Sequence, residues 1–191
     1  PIKERLEQHF GRSDWIYAVN THAHDSHAGG NCLFPGATIV GHTNLAQDQQ
    51  WLIHRQRDPD AKRRALDGMD QTVRRFRALL PQVAGRPAEQ RLVRGEIRFW
   101  ELHRQDLQEG YRIVPPTLVF SDRHTIDLGD LHLELVFFGR GHSLSDILVY
   151  VPEERLLVTG AIAYQRGQLP EIGEQTKLND VQRFLAVLDE F

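Results

Sequence analysis

Apolar residues recur at two different periods along this chain, and the switch between them divides it into three stretches. Ile2, Leu6 and Phe10 stand four apart, which predicts a short helix over residues 2–10. Trp15 to Val19 is a brief apolar run that reads as a buried strand leading to Asn20 and a polar cluster. Gly29-Gly30 predicts a loop or a close-packed helix start, and Pro35-Gly36 a turn before a second strand at Ala37 to Val40. From about Leu45 to Glu109 the period lengthens. Leu66, Met69, Val73, Phe76 and Leu80 alternate threes and fours, one face of an amphipathic helix that Pro81 stops. Val93, Ile97, Trp100 and Leu107 form a second stripe, and both stripes predict helix-packing core. After Pro115-Pro116 the period of two returns. Thr117 to Phe120 and Leu131 to Phe138 are rich in strand formers, with His132, Glu134 and Val136 alternating with Leu133, Leu135 and Phe137. Ile147 to Val151 and Leu156 to Thr159 flank a predicted hairpin turn at Pro152 to Arg155, and Val181 to Phe191 predicts a closing helix. The order predicts an α/β fold: one domain over residues 1–191, with a helical insertion at about 45–115.

Composition narrows the class. The 191 residues are 40% hydrophobic and 26% charged, as expected of a globular domain with a buried core. Net charge is −3, but residues 51–115 hold 14 Lys+Arg against 9 Asp+Glu, and the remainder 9 against 17. That local excess is modest, and Arg63-Arg64 and Arg74-Arg75 read as solvated helix faces, so nucleic acid is not an expected partner. No run of eighteen apolar residues is present, and the first residues lack the apolar core of a signal peptide, so no membrane association is expected. Cys32 stands alone, which excludes an intrachain disulfide and fits a cytoplasmic setting; with no initiator methionine at Pro1, the expectation is that the start of the gene product lies upstream.

The chemistry concentrates in residues 21–30, THAHDSHAGG. Three histidines within six residues, behind a strand and ahead of two glycines, are the pattern of a metal site. Zinc favours neutral imidazole nitrogen, and a catalytic site uses three protein ligands with one position left for water. His22 and His24, two apart, present their rings to one side of an extended segment. His27, three further on, aims at a neighbouring point. The third ligand must come from elsewhere, and His142, just after Gly139 and Gly141 at the end of an apolar strand, is the best candidate. His42, His54, His103, His124 and His132 read as structural, and Cys32 as a small buried residue.

Together these residues resemble the metallo-β-lactamase fold superfamily. Asn20 to Gly30 is similar to that family's T-H-x-H-x-D-H-x-G-G, Gly141 to Tyr150 to its G-H-[ST]-x-x-[SD] strand segment, and Leu156 to Ala161 to its L-x-x-[ST]-G-D. The resemblance covers roughly residues 10–45 and 117–165. It implies an αββα sandwich, of which this chain carries the central part, and a first metal held by His22, His24 and His142.

Two departures matter. The family's second-metal aspartate before the last histidine is Ser26 here, and its bridging aspartate is Ala161, so of that second set only His27 survives. Asp25 is either a displaced carboxylate that reaches the metal or its water, or a helix N-cap. The expectation is a mono-zinc hydrolase, with iron or an empty site as alternatives. Zinc-bound hydroxide would attack an ester, thioester, lactone, amide or phosphoester of a small-molecule substrate. Asp25 and His27 are the candidate catalytic residues. The alternative is a catalytically impaired relative acting as a binding or scaffold protein, with the helical insertion packing on a second copy of the chain.

Overall fold

The computed structural model describes residues 2–163 and 176–190. Among these the chain runs α1 (Ile2–Phe10), β1 (Tyr17–Val19), α2 (Asp25–Ala28), β2 (Thr38–His42) and α3 (Leu45–Asp48). Then come α4 (Gln50–Arg57), α5 (Pro59–Leu79) and α6 (Pro87–Glu109), followed by β3 (Leu118–Phe120), β4 (Arg123–Asp127) and β5 (His132–Phe137). A tight hairpin of β6 (Ile147–Val151) and β7 (Leu156–Val158) precedes α7 (Leu178–Leu188). Two compact units result: residues 1–49 with 114–191, and residues 50–113.

In the first unit, β1, β2 and β3 form a parallel sheet in that order, and β4 to β7 an antiparallel sheet. Their apolar faces share one core. Val40 and Phe120 from the parallel sheet cluster with Ile126, Leu135, Ile147 and Val149 from the antiparallel one. The pleat explains how β5 and β6 serve two layers: Leu135 and Val149 face the shared core, while Val136 and Leu148 face Phe184, Val187 and Leu188 of α7. The parallel sheet's other face is closed locally at Gly41, where a Cβ would come within 2.8 Å of Leu45 Cδ1 and 3.2 Å of Pro116 Cγ.

Residues 50–113 make a helical hairpin. Asp58 caps α5, its Oδ1 accepting from Ala61 N at 2.6 Å, and Pro59 sits at the first helical position where its missing N–H costs nothing. Met69 and Val73 are buried on α5 and Leu107 on α6. Arg77–Glu101 (2.6 Å) and Arg104–Asp70 (2.7 Å) tie the two helices.

Two predictions about elements are corrected. β4 was not anticipated, because RHTID carries a single buried apolar residue, Ile126, among polar neighbours on a sheet edge. The closing helix begins at Leu178 and ends at Leu188, and Phe191 lies outside the described residues.

His132 and Glu153 illustrate a surface pair with a defined pH signature. Glu153 Oε1 is 2.6 Å from His132 Nδ1, its Oε2 accepts from His132 N, and Asp127 lies 3.8 Å from Nε2. The hydrogen bond to Glu153 is the main cause that raises the His132 pKa above 6.5. Its contribution to stability is therefore full below pH 6.5 and is lost as the pH rises through the raised value. An NMR titration should place His132 above 6.5 and Glu153→Gln should bring it down; an unchanged midpoint would remove the pair from the account.

Candidate metal centre

The cluster segment is anchored at both ends by amides. Asn20 and Asn31 are buried and exchange side-chain hydrogen bonds of 2.9 and 2.8 Å, while Asn31 Nδ2 also donates to Val114 O at 2.9 Å. This pair closes the loop that holds residues 21–30. Asn20 N donates to Val40 O, and Ile147 N donates to Thr21 O at 2.9 Å, so the loop is stitched to both sheets. Gly160, at φ +59°, lets the chain pass the loop: a Cβ there would lie 3.0 Å from Thr21 Oγ1 and 3.6 Å from His22 Nδ1.

His142 arrives from a separate loop that Asp48 holds. Asp48 Oδ2 accepts from Leu144 N at 2.9 Å and from Ser145 Oγ at 2.7 Å, and Asn44 Nδ2 donates to Leu144 O at 3.0 Å. His42 supports Asn44 in turn. Its Nδ1 accepts from Asn44 N at 3.2 Å, which leaves Nε2 to donate to Ser121 O at 3.1 Å, and its ring stacks on Phe137 at 3.7 Å. Within the loop, Ser143 N donates to Asp146 Oδ2, and a Cβ on Gly141 would come within 2.4 Å of Ile162 Cδ1. The loop's position is thus set by two carboxylates, one amide and a glycine. None of the four is a metal ligand in the sequence reading, and no local spacing announces Asp48, whose partners lie 96 and 97 positions downstream.

Three imidazoles converge. His22, His24 and His142 each offer a ring nitrogen within 4.8 Å of the others, and His142 Nε2 lies 2.8 Å from His24 Nδ1. Ring nitrogens grouped this closely can be drawn onto one ion whose nitrogen bonds are about 2.0–2.1 Å long, in place of the hydrogen bond that His24 and His142 make to each other. His22 is buried, and its Nε2 has no hydrogen-bond partner among the described residues, while Thr21 Oγ1 lies 3.3 Å from Nδ1. A buried imidazole nitrogen without a partner is costly unless something binds it, which is what a metal ion would do. Burial, followed by the neighbouring His27, His24 and His142, pushes the His22 pKa down to about 3. Burial and His142 push His24 down as well. Both rings are held neutral, the form that ligates.

The remaining predicted residues surround this trio. His27 is exposed on α2, its ring centroid 4.0 Å from that of His22. It faces a cleft of about 500 Å³ lined with Val19, Thr21 and Leu157 to Gly160. Asp25 occupies the first helical position of α2 rather than its cap: His24 is the N-cap residue, and Asp25 Oδ1 accepts from Ser26 N at 3.0 Å. The short helix starts one residue earlier than a capping role for Asp25 requires. Ser26 is exposed and Ala161 is buried, so neither carboxylate of the resembled family's second set has a substitute at its own position. Asp146 is buried, its Oδ1 without a hydrogen-bond partner among the described residues, and burial pushes its pKa up.

Two outcomes follow. Removing the Asp48 anchor by Asp48→Ala should weaken zinc binding roughly tenfold to a hundredfold, the range for residues that orient ligands. Competition with a chromophoric chelator measures it, and unchanged affinity would deny Asp48 that part. In metal-free protein, unfolded His22 takes up a proton near pH 6.5 that the folded chain refuses until about 3. Stability should be full above pH 6.5 and fall as the pH drops towards 3. Urea denaturation at several pH values should show this slope, reduced in His22→Gln.

Comparison with known proteins agrees with the architecture. The family model described as "Metallo-beta-lactamase superfamily" matches residues 2–188. No curated protein matches the chain. Among solved structures, a metallo-beta-lactamase from Pontibacter korlensis is similar at 14% identity and a TM-score of 0.54, over 99% of this chain and 63% of that one. The metallo-beta-lactamase IND-7 is similar at 11% identity and 0.54, over 97% of this chain and 61% of that one. The chain spans a little over three-fifths of the length of either structure.

Proposed function

Because this chain belongs to the metallo-β-lactamase superfamily, we propose that it is a hydrolase working with one zinc ion, held by His22, His24 and His142. The observation that carries the reading is the convergence of three ring nitrogens within 4.8 Å of one another, together with a buried His22 Nε2 that has no hydrogen-bond partner among the described residues. The ion, when bound, supplies Lewis acidity and a water of near-neutral pKa. The chain supplies the rest. Burial keeps His22 and His24 uncharged, so no proton has to leave them before they ligate. Asp48 and Asn44 hold the loop that presents His142. To His27, exposed and lining the cleft, we assign the part of orienting the attacking water or taking its proton. Asp25, on the same short helix, is the second candidate for that role.

The cleft beside His27 is of a size that takes a small molecule. Esters, thioesters, lactones, amides and phosphoesters all offer the electrophilic centre that such a site attacks. We read the unit of residues 1–49 and 114–191 as the catalytic part of one domain, with the helical hairpin as its insertion and its surface for self-association.

A second reading has a specific observation behind it. Ser26 and Ala161 leave the family's second metal position without its two carboxylates, as in a relative that has turned from catalysis to binding.

Elemental analysis of protein purified without chelator separates the two. About one zinc per chain, lost in His24→Ala, together with hydrolysis of an ester or lactone panel, is the expected result. With one zinc, His27→Ala should lower kcat roughly a hundredfold or more, the range for a proton-transfer group, at unchanged zinc content. Two ions per chain would overturn the mono-zinc assignment, and no ion in a well-folded chain would favour the binding protein.

A further inference from the structure

His142 is delivered to the histidine trio by a stretch with two glycines, Gly139-Arg140-Gly141. Asp48, Asn44 and Asp146 hold Ser143, Leu144 and Ser145, the residues that follow it. The residues that precede it are held from another side, by the first turn of α7 and the chain just ahead of it. Thr176 Oγ1 donates to Gly141 O at 2.6 Å, across 35 positions. Gly139 has a φ of +117°, a conformation that favours glycine, and a Cβ there would stand 2.5 Å from Asp180 Oδ1 and 3.2 Å from Asp180 Cβ. The loop backbone therefore lies against Asp180 as closely as only a glycine allows.

The helix that makes these contacts is itself fastened. Asp180 Oδ2 accepts from Lys177 N at 2.9 Å, which fixes the carboxylate in the first turn. Val187 is buried in a cluster with Val136, Phe138, Leu148 and Ile162, and the rings of Phe184 and Phe138 lie 4.8 Å apart. Arg183 pairs with Asp122, and Glu190, just past the helix, pairs with Arg123. α7 is thus pinned to the antiparallel sheet, whose strand β5 leads into the His142 loop.

The Thr176 bond reaches His142 through covalent geometry. Gly141 C=O and His142 N belong to one planar peptide unit, so fixing the oxygen fixes the direction of the N–H and the position of the His142 Cα. Without that bond the wide φ and ψ range of Gly141 would let the plane turn. We infer that Thr176 is a positioning residue for the metal ligand His142, orienting the Gly141–His142 peptide from α7 while Asp48 and Asn44 restrain the far side of the same loop. The inference rests on the three-histidine site proposed above, and it is read out by metal binding without any measurement of activity.

Zinc affinity of the whole chain, measured by competition with a chromophoric chelator, tests it. Thr176→Val keeps the shape of the side chain and removes the hydroxyl. It should weaken zinc binding about tenfold, with unchanged circular dichroism. Thr176→Ala, which removes the same bond without adding bulk, should match it, and Thr176→Ser should bind as the unaltered chain does. In a His142→Ala background, where the remaining affinity comes from His22 and His24, Thr176→Val should cost nothing further. Equal zinc affinity in Thr176→Val and the unaltered chain overturns the inference and leaves the three-histidine site standing. An equal loss in the His142→Ala background also overturns it, because the effect would then not pass through His142. An unaltered chain that takes up no zinc removes the site itself, and the inference with it.

Discussion

One carboxylate oxygen decides where the third histidine stands. Asp48 Oδ2 receives both the Leu144 amide and the Ser145 hydroxyl. With Asn44 on the Leu144 carbonyl, it fixes a loop that the antiparallel sheet alone leaves open between Phe137 and Ile147. A loop of that length has many conformations of similar energy, and a ligand displaced by an ångström is not a ligand. Charge-assisted hydrogen bonds are among the stronger ones available to a protein, and two on one oxygen are an economical restraint. His42, buried against Phe137 and bonded at both ring nitrogens, extends the restraint to the end of β2. The Asn20–Asn31 amide pair plays the matching part for His22 and His24.

Burial gives these restraints their chemical consequence. An imidazole removed from water among other imidazoles carries no positive charge at neutral pH, and His22 reaches that condition most fully. The position of the family's bridging carboxylate, occupied by Ala161, contributes no negative charge to that environment. With fewer anions at hand, a second cation would meet less compensating charge. The neutral histidines, the vacated carboxylate positions and the proposal of a single ion are therefore one electrostatic argument.

The sequence was most legible where geometry is local. The alternation of His132, Glu134 and Val136 with Leu133, Leu135 and Phe137 is visible because successive strand residues point to opposite faces, and in the structure the leucines and Phe137 meet the shared core while Val136 meets the side of α7. The family was legible because three short motifs keep their order and spacing. β4 was not, since an edge strand with one buried residue carries no pattern strong enough to stand out. Asp25 was misread as a possible cap, because one residue of helix start decides between capping and first-turn positions. Asp48 could not be found at all: its partners lie nearly a hundred residues away, and an aspartate on a four-residue helix looks like any other surface acid.

By itself, then, the sequence determined the kinds of group available: the strand-forming and helix-forming stretches, the histidines, and the serine and alanine where two carboxylates would be. Tertiary structure decided what those groups are to one another. It set the 4.8 Å convergence of His22, His24 and His142, the uncharged state of His22 and the anchoring by Asp48. The reason is physical. Residue type and spacing are written along the chain, whereas burial, distance and desolvation exist only between segments that folding brings together.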